Sequence, residues 1–302
     1  MARPLRSLND MTCRSSALLM SVAVLACAGG CGPAASHSET DSTNGYPAAP
    51  QERASNSSPA PSASGKADGV QPNKVVFIGG VCSTQFDSPD SPLGEWPDKK
   101  SVDAAIDQRF EMSTPVTQLR LTLDKECTGD SWCSIHAYSN GAAVLSKTLS
   151  LFDATQWNIL WVDTVASNEG GSELSASRTA SVLEAVGLTD CELMTSISPS
   201  DHRSGWNHND TGNHIFYMQA GHEQWWSTGA WPHDFFSGMA NDGLVAFHSA
   251  GGMNDTFHVP EDDPWLCFRE PRHFVNHRPT GACDGAPRDH DAMKIHGLPG
   301  AK

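Results

Sequence analysis

Ser139 is the side chain whose setting most suits chemistry. It stands in "HAYSNGA", with Ala137 two residues before it and Gly141 two residues after it. A serine between a strand and a helix, flanked by small residues at those positions, fits the G-x-S-x-G pattern of a nucleophile on a sharp turn, with alanine for the first glycine. The turn is tight, so larger side chains there would collide with neighbouring backbone. The same residues also suit a plain helix N-cap. A serine attacking a carbonyl needs two N–H groups facing the oxyanion. Asn140, the next residue, supplies one. "KVVFIGGV", residues 74–81, ends in Gly79, Gly80 and Val81. A loop after an early strand is where the second donor belongs, with Val81 providing it; a simple strand-ending turn is the alternative. The serine also needs a base within hydrogen-bond reach. The chain has 13 histidines, and spacing alone does not choose among them. His136, on the run before Ser139, points away or lines the pocket.

Two later stretches resemble a known family. "VDTVASNEGGSEL", 162–174, places Ser167, Asn168, Gly170, Gly171 and Ser172 after a strand. It is similar to the "S-P-x-x-G-S" loop of bacterial triacylglycerol lipases and related esterases of the α/β-hydrolase fold, without the proline. "ANDGLVAFHSAGG", 240–252, resembles the lipase segment "NDG-(L/V)-V-x-x-x-S". The resemblance implies that Asp242 is the acid of a Ser-Asp-His triad, with Asp163 as its substitute. An Asn-Asp-Gly sequence is also a good turn in its own right. The order nucleophile, acid, histidine suits the fold. His248, His258, His273, His277, His290 and His296 follow Asp242. His290, in "PRDHDAMKIHG", matches the family's look best, with His277 second and His258 third. The chain departs from the family in carrying Gly79 where a histidine-glycine loop is usual, and Ala137 for glycine. Neither change removes a reacting group.

These residues need a scaffold to bring them together. Apolar, β-branched runs at 74–81, 132–139 and 157–166, an alternating run at 116–123, and short runs at 214–220 and 244–249 read as strands. Helical spacing is found at 98–110, after Asn140 (Ala142, Leu145, Leu149, Phe152), and at 172–187 before Gly187. Strands alternating with helices predict an α/β fold: an α/β-hydrolase with a mostly parallel sheet and helices on both faces. Residues 200–240, rich in His, Trp, Asn and Gly, read as a long functional loop or a cap over the site. Trp225, Trp226 and Trp231 there suit either an acyl pocket or core and rim positions. His202, His208, His214 and His222, with Asp201 and Asp210, invite a metal, but their spacing matches no compact ligand motif. No cofactor is expected.

The start of the chain has a different character. Arg3 and Arg6 precede the apolar stretch "ALLMSVAVLACA", 17–28, shorter than the ~20 residues that span a bilayer. This is a secretory signal pattern. "VLAC" resembles the lipobox of bacterial lipoproteins, which implies cleavage after residue 26 and a lipid on Cys27; Cys31 is a competitor. Residues 27–73, dominated by Ser, Pro, Ala and Gly, read as a disordered tether, leaving 74–302 for one catalytic domain. Export favours disulfides. Six of the nine cysteines lie in that domain, and the local pairs Cys127–Cys133 and Cys267–Cys283 are the simplest choices. A net charge of −15 argues against nucleic acid.

Taken together, the resemblance implies an exported serine esterase, anchored to the cell envelope through Cys27 or secreted. Its partners would be a small-molecule or lipid ester, with the membrane met only through the anchor. Two other classes stay open: a surface lipoprotein keeping the fold as a binding module, and a serine hydrolase acting on peptides or polyesters.

Overall fold

Short apolar runs form the strands of one parallel sheet. In a computed structural model, which describes residues 70–86, 98–176, 191–222, 236, 238–256, 258–260, 273–279 and 289–296, these are β1 (Lys74–Ile78), β2 (Lys100–Asp103), β3 (Cys133–Tyr138), β4 (Ile159–Val165), β5 (Phe216–Gln219) and β6 (His277–Pro279). They are hydrogen-bonded in the order β2-β1-β3-β4-β5-β6, every pairing parallel. The alternation of each strand divides its side chains between two cores. Val76, Ile78, Ile135, Ala137 and Val162 face the helices α1 (Ser113–Glu126) and α2 (Asn140–Leu151). Val75, Phe77, Tyr138 and Val165 face the other way, against Phe86 and Met293. Met293 belongs to the short helix α6 (His290–Met293). Burial on both faces explains why β1 reads as a continuous apolar run rather than an alternating one. The expected α/β-hydrolase architecture is therefore the observed one.

Three expected elements differ. The stretch 98–110 is not a helix: it is β2 followed by a loop, with Val102, Ala104 and Ile106 buried at every second position. Its apolar residues satisfy both periods, and pairing with β1 decides between them. The alternating run 116–123 is the middle of α1. Val116, Leu119 and Leu123 are buried at helical spacing, whereas Leu121, which completed the alternation, is 62% exposed. The run 244–249 is not a strand either. It follows a turn, forms a single antiparallel bridge between Asn241 and Ala246, and enters the short helix α5 (Phe247–Ala250). The described part of the expected 172–187 helix is α3 (Glu173–Ala176), and within 200–240 the described residues form most of α4 (Pro199–Gly205) and all of β5.

Among the described residues two disulfides tie the loops to this frame. Cys127–Cys133 joins the end of α1 to the start of β3. Cys82–Cys191 links segments 109 residues apart, a pairing no local rule selects. Cys27, Cys31, the leader and most of the tether, Cys267–Cys283, the end of the 172–187 helix, and Trp225, Trp226 and Trp231 lie outside the described residues.

Candidate active site

Where β3 gives way to α2, Ser139 adopts φ 54° and ψ −128°. A positive φ in a residue other than glycine costs about 1–3 kcal/mol and persists only where its surroundings enforce it. Here the Ser139 N–H donates to Val165 O (3.0 Å), and the Ser139 carbonyl accepts from the Asn168 N–H (3.2 Å). The turn also presses against its neighbours. A Cβ at Gly141 would stand 2.5 Å from the Gly79 oxygen, and one at Gly80 would stand 3.0 Å from the Ser139 Cβ. Gly141 of the motif is thus required by the packing of the Gly79–Gly80 loop against the elbow.

Asp242 stands on a turn built by its own neighbours. The Asn241 side-chain oxygen accepts the Gly243 N–H (2.9 Å), and Gly243 takes φ 98°. Asp242 Oδ1 accepts from the N–H groups of Leu244 (3.0 Å) and Val245 (2.8 Å). That leaves Oδ2 facing His290 Nδ1 at 2.8 Å. The residue is held from three directions: the His290 main-chain N–H donates to the Asp242 main-chain carbonyl (3.0 Å), Asp289 caps α6 through the Ala292 N–H (2.8 Å), and the Tyr138 ring packs 5.1 Å from the imidazole. His290 Nε2 lies 2.9 Å from Ser139 Oγ. All three side chains are buried, Asp242 completely. The structure thus brings Ser139, His290 and Asp242 into one continuous hydrogen-bonded series.

The other candidates go elsewhere. Asp163 lies on β4, beside His136 in register, and burial raises its carboxyl to about 6. His136 is buried between Phe77 and Phe86, with Nε2 2.9 Å from Lys294 O; burial lowers it to about 4. His258 is exposed. The rings of His202, His208 and His214 are spent on separate carbonyls, those of Asn168, His202 and Ala154. Among the described residues no three His, Cys, Asp or Glu side chains gather as a metal site requires.

The main-chain N–H groups of Val81 and Asn140 find no acceptor among the described residues. Both residues border the serine: Val81 lines the same pocket as Ser139 and His290. Leu174, Met194, Ile197, Leu244 and Val245 give this pocket an apolar wall. The Ser167–Ser172 loop forms another side. Ser172 Oγ donates to Leu244 O (2.6 Å), joining the loop to the acid turn.

Below that loop is a pair that the sequence did not suggest. Glu169 is fully buried, and its Oε2 lies 2.7 Å from His277 Nε2. Burial, the largest influence on each, would neutralise both. The charge of the partner outweighs it: Glu169 is held down to about 2, with His208 assisting, and His277 is raised above its ordinary value. On the alkaline side, the stability contributed by His277 is complete below about pH 6.5 and is lost as pH rises through its raised value. On the acid side, the contribution of Glu169 is complete above its ordinary 4.5 and is lost as pH falls toward about 2. His277→Gln is expected to lower Tm most between these limits. The gap from wild type should narrow as pH is raised from 6 to 9, read by thermal melts; a gap that stays constant would show the pair to be uncharged.

No protein-family model matches this chain, and no curated protein matches it in sequence. Solved structures do match its fold. The mature form of a Bacillus licheniformis lipase, BlEst2, superposes with a TM-score of 0.52 at 17% identity, over 76% of this chain and 89% of that one. A metagenomic carboxyl esterase, MGS0156, superposes with a TM-score of 0.50 at 16% identity, over 72% of this chain and 64% of that one.

Proposed function

We propose that this chain is a serine hydrolase of carboxylic esters, working through an acyl-enzyme. The observation that carries this reading is the series Asp242–His290–Ser139, with contacts of 2.8 and 2.9 Å, at the mouth of an apolar pocket. In the proposed reaction Ser139 Oγ attacks the ester carbonyl while His290 Nε2 takes its proton. The carbonyl oxygen becomes an oxyanion, met by the N–H groups of Val81 and Asn140. His290 returns the proton to the departing alcohol, leaving the acyl group on Ser139. Water then attacks the acyl carbon, giving a proton to His290, and the acid departs as Ser139 recovers that proton. Asp242 holds the imidazole with Nδ1 protonated and stabilises its charged form. The apolar wall suits an acyl chain, and the two superposed proteins, a lipase and a carboxyl esterase by name, support the ester as substrate class. Export by the leader, with a lipid on Cys27, belongs to the same proposal.

Labelling by a fluorophosphonate probe tests it. Wild type is expected to take one equivalent, Ser139→Ala none, and Ser134→Ala, altered on the preceding strand, a full equivalent. A folded wild type that takes no label would sink the enzyme reading and leave the fold serving as a binding module.

A further inference from the structure

Between the pocket's two proposed N–H donors lies a side chain that no motif singles out. Gln108 is fully buried in the loop after β2. Its side-chain Nε2 donates to the Gly79 carbonyl, two residues before Val81. Its Oε1 accepts from Asn140 Nδ2 at 3.0 Å, on the residue after Ser139. Asn140 Oδ1 in turn accepts from Asn168 Nδ2 at 3.2 Å. A backbone carbonyl only accepts, so Gly79 dictates which end of Gln108 it meets. That choice orients the Asn140 amide and then the Asn168 amide. The main chain of Gln108 adds two bonds to the same loop: its N–H donates to Ser83 O (2.8 Å), and its carbonyl accepts the Cys82 N–H (3.1 Å).

The Gly79–Val81 loop needs such a hold. It contains two glycines with no side chain to anchor it, and it packs against a serine in a strained conformation. Stabilisation of an oxyanion depends on donors fixed in advance at the place where charge develops. The Gln108 side chain bonds on one side to Gly79, two residues before one donor, and on the other to the side chain of Asn140, which carries the other.

We propose that Gln108 is a positioning residue that locks the Val81 loop to the Ser139 elbow and so holds the two oxyanion donors at a fixed separation. The inference rests on the ester-hydrolase reading. Gln108 touches no reacting atom; it acts through Gly79 and Asn140.

Gln108→Leu keeps the bulk and the main-chain bonds but removes both side-chain bonds. Misplacing a donor by about 1 Å costs about 100-fold, so kcat on p-nitrophenyl acetate is expected to fall about 30- to 100-fold, with KM within threefold. A trifluoromethyl ketone forms the tetrahedral adduct with Ser139, and its Ki should rise by the factor by which kcat/KM falls. Asn140→Ala breaks the same chain while leaving the Asn140 N–H in place, and it carries the test should Gln108→Leu fail to fold; the same pattern is expected. Either folded variant with kcat within threefold of wild type, or with KM raised and kcat unchanged, overturns the proposal alone. A wild type without Ser139-dependent turnover overturns the ester-hydrolase reading, and this inference falls with it.

Discussion

Ser139→Ala and His290→Ala are each expected to lower kcat for a soluble p-nitrophenyl ester by about 10⁶-fold, and the double variant by no more than either alone. The non-additivity is the sharper half of the prediction. The hydroxyl is a poor nucleophile until its proton has somewhere to go, and His290 Nε2, 2.9 Å away, is its acceptor. Once either partner is lost, the other has no step to catalyse. What should survive is the contribution of the proposed oxyanion donors, the Val81 and Asn140 N–H groups, and of binding, about 10³-fold over water, which neither variant removes. The second-choice histidine provides the control. His277 Nε2 is engaged by Glu169 at 2.7 Å, so His277→Ala should lower Tm yet leave kcat within about tenfold of wild type, a loss too small for a base. An effect of His277→Ala as large as that of His290→Ala would refute the assignment of the base. Additive losses in the double variant would mean that Ser139 and His290 do not act as a unit.

What the sequence made legible follows from how local each signal is. The Asn-Asp-Gly turn is a short-range device, made by residues within two positions of one another, and Ser139 with Ala137 and Gly141 forms an equally local pattern, although the contact that requires glycine at 141 is with the distant Gly79. They were therefore visible, as were β1, a continuous apolar run, and β3 and β4, short runs rich in apolar residues. His290 was harder, because its partners lie 48 and 151 residues away, and only the family likeness ranked it above His277. The stretches 98–110 and 116–123 carry apolar residues that fit two periods, and the neighbours they pack on choose between them. Gln108 was invisible for a related reason. It looks like a polar loop residue, and its role exists only once β1, the β2 loop and α2 have been brought together. The Glu169–His277 pair and Cys82–Cys191 are products of tertiary structure in the same sense.

Asp242→Asn is expected to cut kcat by about 10⁴-fold while leaving KM nearly unchanged, although it alters one atom and no volume. The acid turn explains why so mild a substitution should be so damaging. Oδ1 of residue 242 is claimed by two N–H donors, Leu244 at 3.0 Å and Val245 at 2.8 Å. In the asparagine variant that position must still hold the acceptor, so the amide nitrogen is forced to face His290 Nδ1. An amide N–H can only donate there. Nδ1 must then be the unprotonated nitrogen, and the ring proton moves to Nε2, 2.9 Å from Ser139 Oγ. A protonated Nε2 cannot take the serine proton. Asp242→Ala lacks this constraint: the imidazole remains free to choose its tautomer, so the alanine variant should be no worse than the asparagine one despite losing more contacts. Imidazole ¹⁵N shifts offer a second readout, with the proton expected on Nδ1 in wild type and on Nε2 in Asp242→Asn. An asparagine variant within tenfold of wild type would remove Asp242 from the triad. A fall of about 10⁴ with the tautomer unchanged would leave Asp242 in place but assign its effect to charge alone.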